Sequence, residues 1–453
     1  MKVAVVGSGI SGLACAWLLA RTHQVTLFEA AHRLGGHTHT VDVSVAGKAL
    51  AVDTGFLVFN RVTYANLVAL FDHLGITCAR SDMSLSVRLM DEDIEWCGSH
   101  LAGLFAQRRN LVRPAFLGML RDILRFNRDA RRTDTTAATL GEFLAQGRYG
   151  KAFRDWYLLP MAGAIWSCPT ATMLDYPWHS FARFCANHGL LQIAGRPAWY
   201  TVPGGARRYV ERMAADLTDI RLGCAVRQVI TSQPLVSSEN VTGADVTATQ
   251  VTQSSAVPAG LAGAAGAAGA AVRLVTDSGV EDFDAVVLAC HSDQALAMLP
   301  DAPTPLHAAL GAIGWQTNAA VLHTDRALLP RRESAWAAWN YLAGQGTADG
   351  RAVGVSYLIN RLQPIDTSEP VMVTLNPPIE PDPSRVLARL SYEHPVFGPA
   401  SDAAQQTLDR QQGTQGVWFA GAWTGYGFHE DGLRSAIRVA RGLGVTPPWT
   451  TPA

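Results

Sequence analysis

The sequence predicts an α/β protein in which a Rossmann-like domain is interleaved with a second, α+β domain. Three observations carry that prediction. The apolar run Val3-Ala4-Val5-Val6 opens directly into Gly7-Ser8-Gly9-Ile10-Ser11-Gly12 and then into an Ala/Leu-rich stretch, the order strand, glycine turn, helix. Apolar strand patterns return far along the chain, at Ala285–Ala289 and Val417–Gly421. With 453 residues the chain also exceeds one ordinary hydrophobic core.

Each position in the opening turn has a physical task. Gly7 permits the tight turn, Gly9 lets the backbone approach a pyrophosphate, and Gly12 lets helix and strand pack closely. Ser11 lies within the same turn, at the helix N-terminus, where unsatisfied N–H groups and the positive end of the helix dipole favour phosphate. A second apolar run, Val25-Thr26-Leu27-Phe28, ends on Glu29, placed to accept hydrogen bonds from adenosine ribose hydroxyls. Lys2 followed by apolar residues also has the look of a signal peptide. The regular glycine spacing, and the lack of a cleavage site ahead of a polar N-terminus, argue against that.

Just beyond Glu29 the chain reads Arg33-Leu34-Gly35-Gly36, and two adjacent glycines leave backbone N–H groups bare for an anion. R-x-G-G after the ribose acid resembles the flavin-containing amine oxidoreductase superfamily, which includes amine oxidases, protoporphyrinogen oxidases and phytoene desaturases. The resemblance implies a GR2-type FAD-binding domain with FAD held non-covalently. It implies that Arg33, Gly35 and Gly36 run beside the pyrophosphate. The segment matching Asp53-Thr54-Gly55-Phe56 would reach the flavin, adding Thr54 and Gly55 to the cofactor set.

Residues 41–60 alternate in strand fashion, and Tyr64–Leu74 reads as a helix closed by Gly75. Residues 100–200 read as mainly helical. Pro203-Gly204-Gly205 is expected to start a helix to Leu217, followed by strands at Cys224–Ile230, Val272–Thr276 and Ala285–Ala289. Between the first two of these strands, residues 231–271 read as a long, poorly ordered hairpin insertion. Its Ala/Gly-rich part, Leu261–Gly269, is too short to span a bilayer. By resemblance Val226 lies at the adenine through its backbone, and the strand ending at Ala289 borders the cofactor, with Cys290 a further contact candidate. The expected domain segments are 1–75, 201–300 and 411–453 for the cofactor and 76–200 and 301–410 for the substrate.

Val417-Trp418-Phe419-Ala420-Gly421 has a buried-strand pattern, and Asp431-Gly432-Leu433 is expected to start the terminal helix. The pair resembles the superfamily's closing motif. There the strand end, here Gly421, contacts ribityl and pyrophosphate, and the helix start, here Asp431, Gly432 and Leu433, points its dipole at the flavin pyrimidine. The Gly432 and Leu433 N–H groups are the candidates to hold it. The family's acid after the strand glycine is replaced by Ala422, leaving Trp423, Tyr426 or a water to substitute.

The same alignment puts His429 where amine oxidases carry one aromatic wall of the amine cage. An imidazole with an ordinary pKa near 6.5 suits proton transfer, shared with Glu430, or hydrogen bonding to substrate; fixing the loop is the alternative role. Amine oxidases also tend to place a lysine near flavin N5, and the three lysines, Lys2, Lys48 and Lys151, match no such motif. No second dinucleotide turn is visible, since Gly344-Gln345-Gly346-Thr347 reads as a turn ahead of a strand. Electrons are expected to leave to oxygen, a quinone or a carrier protein. Phe56, Trp315, Trp423 and Tyr426 are the candidates for an apolar substrate wall.

Composition narrows the partners. Only 17% of residues are charged, against a usual ~25%, and 48% are hydrophobic. A net charge of −1 gives no pull toward nucleic acid. The seven cysteines show neither C-x-x-C nor metal spacing, which fits a reduced, cytoplasmic protein without a metal site. Residues 100–132 carry eight arginines against two aspartates. Arg121, Arg125, Arg128 and Arg132 form one helical stripe with Phe116, Leu120, Ile123 and Leu124 opposite, so peripheral membrane contact competes with an ordinary surface helix. Four segments, Asn187–Leu191, Ala289–Asp293, Ala335–Tyr341 and Phe419–Tyr426, resemble bacterial flavoproteins encoded beside, or fused to, cyclopropane-fatty-acid synthases. That resemblance implies a lipid setting and a functional link to such a methyltransferase. The expected activity is FAD-dependent removal of hydride from an apolar, lipid-like substrate, an acyl chain of a phospholipid. The alternatives are amine oxidation and a flavin-binding accessory role beside a lipid methyltransferase.

Overall fold

The apolar runs that open and close the chain meet in one parallel sheet. The computed structural model describes residues 1–132, 136–166, 172–187, 189–192, 195–232, 271–347 and 350–449. Strands β1 (Lys2–Val6), β2 (Gln24–Glu29), β3 (Ile220–Leu222), β4 (Ala285–Leu288) and β5 (Val417–Phe419) align in the order β3-β2-β1-β4-β5. Every neighbouring pair is parallel. Parallel strands need crossovers over the faces of the sheet, so strands covered on both sides read as unbroken apolar runs. Val3, Val5, Val286 and Val287 are accordingly fully buried. Helix α1 (Ile10–Leu19) makes the first crossover, and α2 (His429–Gly442) packs against it. Strand order reverses at β1, flanked by β2 and β4, which is where open α/β sheets place ligands beyond the strand carboxyl ends.

A three-stranded antiparallel meander, Val226–Thr231, Val272–Thr276 and Gly279–Phe283, belongs with this sheet. Its third strand has no expectation behind it, because Glu281 and Asp282 break the apolar pattern. Thr231 pairs with Val272; the expected insertion between them, residues 233–270, lies outside the described residues. These elements form one unit, Met1–Leu34, Met213–Ile313 and Ser401–Pro448.

The second unit takes Gly35–Arg212 and Gly314–Ala400. The first change of unit follows Leu34 rather than residue 75, because the Thr40–Val45/Lys48–Asp53 hairpin and the Ala65–Leu74 helix pack within the second unit. Phe71 sets its ring 5.3 Å from those of Phe59 and Tyr209. The later changes fall after Arg212, Ile313 and Ala400, near but not at 200, 300 and 410.

A seven-stranded sheet dominates this unit, in the order Val386–Val396, Gly314–His323, Met372–Leu375, Gly350–Leu358, Trp339–Thr347, Leu85–Leu89, Ile94–Cys97. Gly344-Gln345-Gly346-Thr347 is therefore strand, not the expected turn; the chain pairs on through a bulge between Ala343 and Gly346. Across its buried middle runs a polar chain. Ser86 donates to Asn340 (2.7 Å), the Asn340 amide donates to the Ser356 carbonyl (3.1 Å), and Thr374 Oγ1 bonds both Ser356 Oγ and His323 Nε2 at 2.7 Å. Residues 100–200 are helical in the main, including Pro114–Asp129 and Trp178–Asn187. The helix expected to run to Leu217 spans only Arg207–Ala214. Six described cysteines are free thiols; Cys168 lies outside the described residues.

Candidate functional site

The glycine turn after β1 is shaped by exclusion. Gly7 has φ +98°, and a Cβ there would lie 2.8 Å from the Ala289 carbonyl oxygen at the end of β4. A Cβ on Gly12 would fall 1.8 Å from the Gly7 carbonyl oxygen, so helix and strand can approach only without one. Gly9 differs: a Cβ there meets no protein atom within 4 Å. The space over the first turn of α1 is thus open at the glycine of this turn assigned to a pyrophosphate. Glu29 closes β2 with its carboxylate held in place, Oε2 accepting from the Ser8 amide (2.8 Å) and hydroxyl (2.6 Å) and Oε1 from the Ala31 amide (2.8 Å). The Cys224 amide donates to the Glu29 carbonyl at 2.9 Å, which brings Val226, two residues on, to the same strand end. Arg33 Nη1 donates to the Leu34 carbonyl at 3.4 Å.

The first turns of α1 and α2 meet. A Cβ on Gly432 would lie 2.8 Å from both Ser11 Oγ and Ile10 Cγ2, so Gly432 serves by lacking a side chain. Helix α2 starts at His429, two residues earlier than expected, and the Gly432 amide donates to the Phe428 carbonyl at 3.0 Å within the helix. The expectation that Gly432 and Leu433 offer N–H groups to a flavin is corrected accordingly. The amides a helix presents outward are those of its first turn, here His429 to Asp431. Leu433 is fully buried. Asp431 Oδ2 accepts from the Phe428 amide at 3.1 Å and Oδ1 lies 3.5 Å from Arg434 Nη1. Burial pushes its carboxyl up to about 6, although Arg434 and the Phe428 and Tyr426 amides favour the charged form.

The loop between β5 and α2 is stitched by residues the sequence did not single out. Ser435 Oγ accepts from the Gly421 amide (2.9 Å) and donates to the Gly432 carbonyl (2.6 Å). Gln405 donates to the carbonyls of Trp423 (2.9 Å) and Gly425 (2.8 Å). Trp423 is itself core: 2% exposed, it lies over Gly421 and donates its indole N–H to the Cys290 carbonyl at 2.9 Å. That donor is spent, so it cannot replace the acid missing at Ala422. Burial pushes the Cys290 thiol up to about 12, which makes it inert. His429 is half-buried and Glu430 buried. Burial pushes His429 down to about 3, so the imidazole is neutral near pH 7 rather than titrating there.

In the second unit Gly35 and Gly36 have φ +102° and +56°, and the Thr38 amide closes a turn on the Gly35 carbonyl at 2.9 Å. A Cβ on Gly55 would lie 2.1 Å from the His37 carbonyl oxygen, so Gly55 lets the two segments meet. Thr54 Oγ1 donates to the His39 carbonyl (2.9 Å) and bonds Tyr392 Oη (2.6 Å). Asp53 is a hub: it accepts from the Thr40 hydroxyl, the Ala206 amide (2.9 Å) and the Gln363 amide group (3.0 Å). Burial pushes it up to about 7 against the pull of those donors. Phe56 is core and Trp315 half-buried.

A family model for flavin containing amine oxidoreductases matches residues 10–374. The chain belongs to that family. This flavoprotein is an FAD-dependent oxidoreductase, as its glycine turn and its two converging helix N-termini fit. Its fold is shared with a protein assigned as a protoporphyrinogen oxidase from Exiguobacterium sp. 255-15, at 17% identity and TM-score 0.63 over 98% of each chain. It is shared with a conjugated-linoleic-acid-producing fatty acid isomerase from P. acnes, at 13% identity and TM-score 0.63 over 97% of this chain and 98% of that one. Putrescine oxidase bound to putrescine gives 15% identity and TM-score 0.62 over 98% of this chain and 99% of that one. No curated protein matches the flavoprotein.

The lysines of the flavoprotein are all accounted for at its surface. Lys48 pairs with Asp366 at 2.8 Å, Lys151 with Asp155 at 2.5 Å, and Lys2 lies 3.7 Å from Glu281 and 4.4 Å from the Phe283 ring centre. Their side chains are 51%, 76% and 38% exposed.

Proposed function

We propose that this flavoprotein is a dehydrogenase or desaturase that removes hydride from an acyl chain, with FAD held non-covalently. The observation that carries the reading is the fate of the lysines: each is committed to a surface carboxylate, so no lysine serves the amine-oxidase role beside the flavin. Two further points support it. A neutral imidazole at His429 replaces an aromatic wall suited to amines, and one protein with this fold is a fatty acid isomerase.

Bound FAD supplies a two-electron acceptor there, and the remaining work falls to the chain. Adjacent carbons of the acyl chain lose a hydride and a proton, leaving a double bond, and the electrons pass on to oxygen, a quinone or a carrier protein. The proton needs a base. The Glu430 side chain in the first turn of α2 is assigned that role. His429, as a neutral imidazole, then hydrogen-bonds the carboxyl or ester end of the acyl group, and Tyr426 contributes apolar surface. A functional link to a lipid methyltransferase follows from the resemblance of Asn187–Leu191, Ala289–Asp293, Ala335–Tyr341 and Phe419–Tyr426 to flavoproteins encoded beside such enzymes.

Anaerobic mixing with phospholipids, free fatty acids and a panel of amines, read by bleaching of the flavin absorbance, tests the reading. Acyl substrates should bleach the flavin and yield products two hydrogens lighter, and Glu430→Gln should slow bleaching by about 10²- to 10⁴-fold. Bleaching by amines but not by lipids would establish amine oxidation instead. No bleaching by either class, with full support of the methyltransferase by the variant, would establish the accessory role.

A further inference from the structure

The helix Pro114–Asp129 does not present the stripe its periodicity suggests. Phe116, Met119 and Phe126 are buried with Asp122, and Arg125 folds back over the Tyr149 ring at 4.0 Å. The face left to solvent instead alternates apolar and basic: Leu117 is 43% exposed and Leu124 58%, with the exposed arginines Arg121 and Arg128 between and beyond them at helical spacing. Immediately before the helix, Leu111 is 52% and Val112 79% exposed, and Leu101 at the start of the short helix Leu101–Leu104 is 75% exposed. Of eleven exposed large hydrophobic side chains among the described residues, five lie between Leu101 and Leu124. Single exposed leucines need no explanation, but this concentration on one short segment does.

Charge decides what covers it. Arg108 and Arg121 are exposed, Arg121 with 77% of its side chain in solvent although its Nη2 lies 3.4 Å from Asp122 Oδ1, while the segment's two carboxylates are withdrawn. The Asp122 side chain is 3% exposed and accepts from the Gly150 amide at 2.9 Å, and Asp129 is taken by Arg128 (3.0 Å) and the Tyr149 hydroxyl (2.9 Å). Nearby Asp93 is paired with Arg109. We infer that the surface formed by Leu111, Val112, Leu117, Leu124, Arg108 and Arg121 docks on an anionic phospholipid bilayer. The apolar tips enter the headgroup boundary and the arginines meet lipid phosphates. This goes beyond the proposed reaction, since binding to a bilayer requires no turnover.

The test is sedimentation of the full flavoprotein with vesicles of phosphatidylglycerol and phosphatidylcholine in equal parts, against phosphatidylcholine alone. Binding should be at least about tenfold tighter to the anionic vesicles and should fall sharply at ~0.5 M salt. Leu117→Asp with Leu124→Asp, and separately Arg108→Glu with Arg121→Glu, should each weaken it about tenfold or more. Thermal unfolding should be unchanged; Leu117→Ser with Leu124→Ser replaces the aspartates if they destabilise the fold. Failure of the wild type to bind anionic vesicles, or equal binding by the folded variants, would overturn the inference. So would variants that convert a dimer to a monomer in velocity sedimentation without changing vesicle binding, since the surface would then join two copies of this chain. Because the readout is binding, a failed desaturase assay leaves this result standing, and the reverse also holds.

Discussion

Gly9→Ala separates a glycine kept for the fold from one kept for a ligand. Gly9 caps the N-terminus of α1 with φ −60° and ψ 177°, a conformation alanine adopts freely, and its Cβ would meet no protein atom within 4 Å. Without cofactor the substitution therefore costs only the poorer cap, about 0.5–1 kcal/mol, partly offset by a stiffer unfolded chain. With cofactor, a methyl group intrudes where a phosphate backbone contact belongs, and overpacking of that size costs about 1–3 kcal/mol. That corresponds to roughly 5- to 150-fold weaker FAD binding. Gly12→Ala is the contrast: its Cβ would sit 1.8 Å from the Gly7 carbonyl oxygen, which only a broken turn relieves, so the apoprotein itself should fail. The measurements are thermal unfolding of the apoproteins and FAD titration by flavin fluorescence. Wild-type FAD affinity in Gly9→Ala, or an apoprotein as damaged as Gly12→Ala, would refute the reasoning.

Two other perturbations test the frame around the site. Asp431 has its folded pKa raised from 3.8 to about 6, so its protonated form favours folding below about pH 4, and this contribution is lost as pH rises through 6. At about 1.4 kcal/mol per pH unit the loss amounts to at most about 3 kcal/mol. Urea unfolding from pH 4 to 8 should show Asp431→Asn gaining on the wild type as pH rises, and parallel curves would count against a buried carboxyl. In the second unit Thr374→Val removes the hydroxyl shared by Ser356 and His323, leaving two fully buried polar groups short of a partner. The expected cost is about 2–5 kcal/mol in urea unfolding, and less than about 1 kcal/mol would mean that the polar chain relaxes without it.

What could be read from the sequence was whatever depends on neighbours in the chain. Gly12 meets the Gly7 carbonyl within the same turn, and the Ala65–Leu74 helix closes at Gly75 with φ +69°, which glycine adopts freely, whereas Gly7 also answers to the Ala289 carbonyl at the end of the distant strand β4. The start of α2 was misplaced because its cap is Phe428, not a usual capping residue, with Asp431 reaching back to the Phe428 amide. Asp53 is named in the sequence only as part of its segment, and its role as a hub is not legible there because its partners Ala206 and Gln363 lie 153 and 310 residues away. Periodicity found the Pro114–Asp129 helix but not its orientation. A face containing Asp122 was buried, and Leu124, grouped with the core side, lies outside.

The division of labour at α2 explains why the cofactor was easier to read than the reaction. Gly432 and Ser435 close the helix on α1 and on Gly421 through a missing side chain and one hydroxyl, and those requirements admit few residue types. One turn earlier stand His429, half-buried, and Glu430, buried, the two positions to which the proposed reaction gives its proton chemistry. The same first turn offers its amides to a developing negative charge whichever residues stand there. Specificity in this flavoprotein is therefore expected to move with residues 429 and 430 while FAD affinity follows Gly9, Gly12 and Gly432. A histidine-to-aromatic exchange at 429 should alter which substrates bleach the flavin and leave FAD binding within about twofold.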